Sequence, residues 1–156
     1  MKIFGTRTCL VLVACSVGVW IAQDRWKTMA AQEQTLVTVT RIYTGSDGQT
    51  HAEEMDPKLA PASGRTGFEQ SAVTKTTGLR FIRRSPGLIE DWHTAPQRQY
   101  GITLSGRGEV EVAGGQKIRL EPGRIILIED LTGKGHITRA IGTEAWTSVL
   151  IPLADQ

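Results

Sequence analysis

The stretch RQYGITLSGRGEVEVAGGQKIRLEPGRIILIE, residues 98–129, decides the class of fold. Arg98–Leu104 reads as a strand, and Ser105-Gly106-Arg107-Gly108 as a turn. Glu109-Val110-Glu111-Val112 alternates charge with apolar bulk, the period of a half-buried strand. Gly114-Gly115 is a tight hairpin signal. Gln116–Leu120 returns, Glu121-Pro122-Gly123 turns, and Arg124–Glu129 is a near-continuous apolar strand. No run here has helical period.

The same rhythm extends outward. Downstream, Gly133-Lys134-Gly135 is a loop, followed by strands over His136–Ile141 and Ala145–Ile151. Upstream, Gly78–Arg84 is a strand closed by Ser85-Pro86-Gly87. Leu36–Tyr43 is β-branched and aromatic, hence a strand, and Gly45-Ser46-Asp47-Gly48 is turn chemistry. Residues 55–72 mix Pro57, Pro61, Gly64 and Gly67 with charges and read as a long surface loop. The sum is about eight or nine short strands, an all-β sandwich or barrel.

The 156 residues, 40% hydrophobic and 22% charged, suit one ordinary domain with a short appendage. The formal charge of +2 sits at one end. Residues 32–156 carry 14 basic and 15 acidic side chains, which leaves no electrostatic footprint for nucleic acid. Both cysteines, Cys9 and Cys15, fall in the first fifteen residues, so the body has neither disulfide nor thiol nucleophile. The chain lacks Asn altogether, which excludes Asn-linked glycosylation.

Residues 1–31 read as a signal peptide or membrane anchor with a linker. Lys2 and Arg7 precede an uncharged run, Cys9–Ala22. As a helix that run spans about 21 Å, short of the roughly 30 Å hydrocarbon core. Thr28-Met29-Ala30-Ala31 offers small residues for cleavage. Leu12-Val13-Ala14-Cys15 offers a competing reading as a lipobox with Cys15 lipidated. Either way the body is expected outside the cytoplasm, touching membrane only through this segment. A soluble protein behind an over-extended start stays open as a third reading.

The body has three histidines, His51, His93 and His136. No Gly-x-Ser-x-Gly elbow is present, and Gly133-Lys134-Gly135 lacks the spacing of a phosphate loop. By strand parity Asp91, His93, Ala95, Gln97, Gln99, Gly101 and Thr103 share one side, provided Pro96 does not shift the phase. Trp92, Tyr100, Ile102 and Leu104 share the other. A small polar face turned inside a barrel leaves room for a ligand; turned outward it is only a solvated face.

These residues resemble the cupin superfamily. Its first motif runs Gly, five residues, His-x-His, three or four residues, Glu, six residues, Gly. Here Gly87 precedes His93 by that spacing, Gln99 stands at the Glu position, and Gly106 lies where the last Gly belongs. Gly123 through His136 corresponds to the second motif. The resemblance covers residues 78–151 within a single domain, 32–156. Trp92-His93-Thr94-Ala95-Pro96 and Glu129 through His136 look like a small bacterial subgroup of uncharacterised function. The resemblance implies a double-stranded β-helix (jelly-roll) barrel, commonly a homodimer.

The departures bear on function. Metal-binding cupins use three His and one Glu. Here Ala95 takes one His position, Gln99 takes the Glu position, Glu129 stands where Pro is usual and Ala140 where Asn is usual. Three readings follow. In the first, the barrel holds a small polar molecule through His93, Gln97, Gln99, Thr103 and His136. In the second, His93, His136 and Gln99, with His51, Asp91, Glu129 or Asp130 swung in, hold Fe, Mn, Ni or Zn in an oxygenase, isomerase or decarboxylase. In the third, the chain is a non-catalytic tethered module. His51, followed by Ala52-Glu53-Glu54, is either a lid residue or a surface residue beside solvated carboxylates. Arg98 lies on the opposite parity and is expected in a surface or interface salt bridge. Trp92 and Trp146 are expected in the core or at an interface.

Overall fold

A computed structural model describes residues 37–154; Cys15 and the rest of the signal, anchor or lipidation reading lie outside them. Twelve strands follow one another: β1 (Val39–Thr44), β2 (Thr50–Met55), β3 (Ala60–Pro61), β4 (Glu69–Gln70), β5 (Arg80–Arg84), β6 (Ile89–His93), β7 (Gln99–Ser105), β8 (Arg107–Glu111), β9 (Lys117–Leu120), β10 (Ile125–Glu129), β11 (His136–Ile141) and β12 (Trp146–Pro152). Among the described residues the one helical piece is a 3₁₀ turn at Ala113–Gly115, and no helix is long and apolar enough to cross a membrane.

The pairing of the last eight strands defines the architecture. β8 pairs β9, β7 pairs β10, β6 pairs β11 and β5 pairs β12, all antiparallel. Such nested pairing is what results when a long hairpin is rolled into a double-stranded β-helix, the jelly-roll answer to exposed sheet edges. The strands divide into a six-stranded sheet, β2-β1-β10-β7-β12-β5, and a four-stranded sheet, β6-β11-β8-β9.

Three strands, β2, β3 and β4, differ from the sequence expectation. Thr50–Met55 is polar and carries no β-signal, yet it forms β2. Cross-strand charge holds it: Arg41 Nη1 donates to Glu53 at 2.9 Å, and Thr40 Oγ1 donates to Glu54 at 2.9 Å. The segment read as a plain loop contains the short β3–β4 ribbon.

Between the sheets lies the main core, which includes Ile42, Val110, Val112, Leu120, Ile126, Ile128 and Trp146. Fully burying each aliphatic side chain stabilises by roughly 1.5–3 kcal/mol. The strand period sends Leu127 to the opposite face from Ile126 and Ile128, where it clusters with Val39 and Leu153.

Candidate functional site

The inner faces of both sheets enclose a cavity with about 60 Å³ of space open to the centres of water molecules. From the six-stranded sheet come Gln99 and Thr103 of β7, Ser148 of β12 and Arg84 of β5; from the four-stranded sheet come His93 of β6 with His136 and Thr138 of β11. Ile126, Ile128, Leu120 and Trp146 supply apolar wall. The small polar parity set of β7 therefore faces inward: Gln99, Gly101 and Thr103 are buried, while Leu104 is exposed.

Two members of that set lie elsewhere. Gln97 is exposed and absent from the wall, because Pro96-Gln97 forms a bend that breaks the alternation. Asp91 is exposed as well. Opposite β11, His93 pairs His136 and Glu90 pairs Thr138, so β6 spends one extra residue in a bulge. That bulge turns Asp91 off the face of His93.

The two wall histidines are neighbours. Their ring centroids are 4.5 Å apart with planes at 55°. His93 Nδ1 lies 2.7 Å from the Asp91 carbonyl oxygen, which can only accept, so Nδ1 carries the proton and donates. His136 Nδ1 donates to Asp130 Oδ2 at 2.6 Å. Asp130 is 0% exposed. Its Oδ2 also accepts from Thr50 Oγ1 at 3.4 Å, while Oδ1 has no partner among the described residues. Both rings are thus fixed from behind, and in the neutral form each keeps its Nε2 lone pair. Neither Nε2 has a hydrogen-bond partner among the described residues.

The other wall groups are also held in place. Trp146 Nε1 donates to Thr103 Oγ1 at 3.2 Å, and Arg80 Nη2 donates to Gln99 Oε1 at 3.4 Å. Arg84 Nε donates to Glu90 at 2.8 Å and Nη1 to Ser148 Oγ at 3.4 Å. Its guanidinium carbon lies 4.6 Å from the Trp146 ring centroid. Arg124 Nη2 donates to Thr40 Oγ1 at 2.6 Å and to Glu54.

Arg84, Arg124, Thr138 and Ser148 were not among the residues singled out from the sequence. Thr138 shares parity with His136, and Ser148 with Trp146, so alternation along β11 and β12 was the available signal.

The remaining candidates serve other purposes. His51, in β2 with its side chain 44% exposed, pairs with Asp47 of the preceding turn at 3.0 Å and tilts against Tyr43, away from the cavity wall. Trp146 is core, whereas Trp92 is partly buried with Lys134 Nζ 3.7 Å from its ring centroid. Arg98 pairs with Glu129 at 2.5 Å, and Arg41 donates to the same carboxylate at 2.6 Å. Burial of Glu129 favours its neutral acid, but the Arg41 and Arg98 guanidinium groups outweigh it and hold the carboxyl below the ordinary 4.5.

A folded-state value below the unfolded one gives stability that is complete above pH 4.5 and lost as pH falls through the folded value. Glu129→Gln is expected to cost about 2 kcal/mol at neutral pH. It is also expected to flatten the loss of stability in acid. Urea unfolding midpoints across the acid range test this, and an unchanged acid slope in the variant would refute it.

The donor set does not fit a resident Fe, Mn, Ni or Zn ion. Among the described residues no group of three His, Cys, Asp or Glu side chains can close on one ion. The wall offers two imidazoles and one amide oxygen, bears Arg84 and Arg124, and contains no carboxylate. Such ions take three or four His, Cys or carboxylate ligands, and nearby guanidinium charge opposes them. Prolonged treatment with a chelator is accordingly expected to leave the Tm unchanged. A fall restored by one of these metals would overturn that conclusion.

No protein-family model matches the chain, and no curated protein matches it. Among solved structures it is similar to the conserved SPY1581 protein of unknown function from Streptococcus pyogenes, at 20% identity and TM-score 0.42, covering 51% of this chain and 65% of that one. It is similar to a cupin-2 domain containing protein from Shewanella frigidimarina, at 18% identity and TM-score 0.39, covering 56% of this chain and 85% of that one. It is also similar to the Schizosaccharomyces pombe Cnp3 cupin domain, at 13% identity and TM-score 0.43, covering 81% of this chain and 88% of that one. The chain's own nested strand pairing makes the described residues a double-stranded β-helix barrel, and cupin domains are among the solved structures similar to it.

Proposed function

We propose that this chain is a cupin-superfamily barrel that binds a small polar molecule inside, without a resident metal ion, and that residues 1–31 direct it out of the cytoplasm. One observation carries the binding reading. His93 and His136 stand side by side on the cavity wall, each fixed through Nδ1 and each with an Nε2 that no described residue satisfies. Polar groups on an apolar wall need partners, and oriented ones are what a ligand site requires. Gln99 and Thr103 face them from the other sheet.

The test is a thermal-shift screen of small polar metabolites. A ligand at 100 times its Kd adds about 2.7 kcal/mol, several degrees in Tm. The shift is expected to vanish in both His93→Ala and Gln99→Leu, which alter opposite sheets. A shift that survives both substitutions would place binding elsewhere. The absence of any stabilising molecule would leave the barrel a non-catalytic module.

A further inference from the structure

We propose that the molecule held in this cavity is a small carboxylic acid bound as its anion, with Arg84 as its principal partner; this rests on the binding reading above. The first observation is the sign of the wall. Its charged side chains are Arg84 and Arg124, and no Asp or Glu stands among them. The carboxylates that steady these groups and His136 lie behind them: Glu90 on Arg84, Glu54 on Arg124 and Asp130 on His136. Glu90 and Glu54 pair directly with the two guanidinium groups, so what remains for a ligand is their unused donor capacity.

The second observation is the direction of β5. Arg80-Phe81-Ile82-Arg83-Arg84 would satisfy hydrophobic burial with Phe81 turned inward. Instead Phe81 is 71% exposed and Arg84 lines the cavity. A strand that gives up an aromatic ring to the surface and turns an arginine inward breaks the burial pattern, and such breaks are expected at functional sites.

The third observation is unused donor capacity. Arg84 commits Nε and Nη1, and among the described residues Nη2 has no hydrogen-bond partner. Arg124 Nε is buried without a partner. The Trp146 ring, its centroid 4.6 Å from the Arg84 guanidinium carbon, helps to hold the side chain in the wall.

Size and polarity select among anions. At about 60 Å³ the cavity admits only a small acid of a few non-hydrogen atoms. Ile126, Ile128 and Leu120 suit a short hydrocarbon part. A phosphate dianion would bring two charges and no apolar surface, and its desolvation would go uncompensated there.

Propionate, propionamide and inorganic phosphate, titrated separately into the full-length chain and followed by calorimetry, test the proposal. Propionate is expected to bind at least tenfold more tightly than propionamide, and phosphate not at all. Arg84→Gln is expected to weaken propionate at least tenfold, and to weaken it more than it weakens propionamide. Should that variant fail to fold, the comparison of acid with amide on the native chain decides alone. Propionamide binding as tightly as propionate would overturn the anionic class and leave the binding reading intact. Preference for phosphate would overturn the carboxylate assignment in the same way. If neither the acid, the amide nor any other small polar molecule binds, both readings fall.

Discussion

Gly135→Ala is expected to cost at least about 3 kcal/mol and to abolish ligand binding together with stability. Gly135 has φ +79°, the left-handed region, where a side chain costs roughly 1–2 kcal/mol by itself. The larger penalty is steric. A Cβ there would sit 2.0 Å from the His93 carbonyl oxygen and 2.7 Å from the Thr94 nitrogen, both backbone atoms that no rotamer change can move. The clash falls where β11 meets β6, beside the His93–His136 pair. Relief requires the two strands to part, and with them the two imidazoles.

Gly114 supplies the control. It has φ +73° and open space around it, so Gly114→Ala pays only the conformational strain. Urea denaturation of both variants separates the two contributions. Equal losses would mean that the close approach of Gly135 to His93 is not an energetic feature of the fold.

Asp130→Ala is expected to cost about 1–3 kcal/mol, the range for leaving a buried donor without its partner. The substitution leaves the His136 Nδ1–H without an acceptor in a place closed to water, and Thr50 loses its acceptor as well. It also frees the imidazole to rotate and to exchange tautomers, so ligand affinity falls beyond what stability alone explains. Asp130→Asn keeps an oxygen that can accept from Nδ1–H, and a loss of about half that size is expected. Chemical denaturation gives the ranking, and the ring-nitrogen resonances of His136 report the tautomer. Asn and Ala variants of equal stability would show that an acceptor oxygen at position 130 does not hold His136.

Much of the fold was legible in the sequence. Glycine and proline punctuation marked the strand ends from 78 to 151, and alternation along β7 sorted Gln99, Gly101 and Thr103 from Leu104. The polar strand β2 was not legible, because its reason to be extended is Arg41 and Thr40 on a neighbouring strand rather than its own propensity. Parity failed at Asp91 and Gln97, where a bulge and a proline bend each shifted the phase.

By itself the sequence determined the all-β class, most turn positions, the small polar face of β7 and the short donor set: His93, His136 and Gln99, with Ala95 where a third imidazole would stand. These are local properties of period, turn chemistry and residue type. Only the tertiary structure decided that His93 and His136 touch, that Asp130 stands behind one of them, and that Arg84 turns inward while Phe81 turns out. Those facts depend on which strands roll against each other and in what register. Register is fixed by the summed packing of both sheets, and no window of sequence around a single residue contains it.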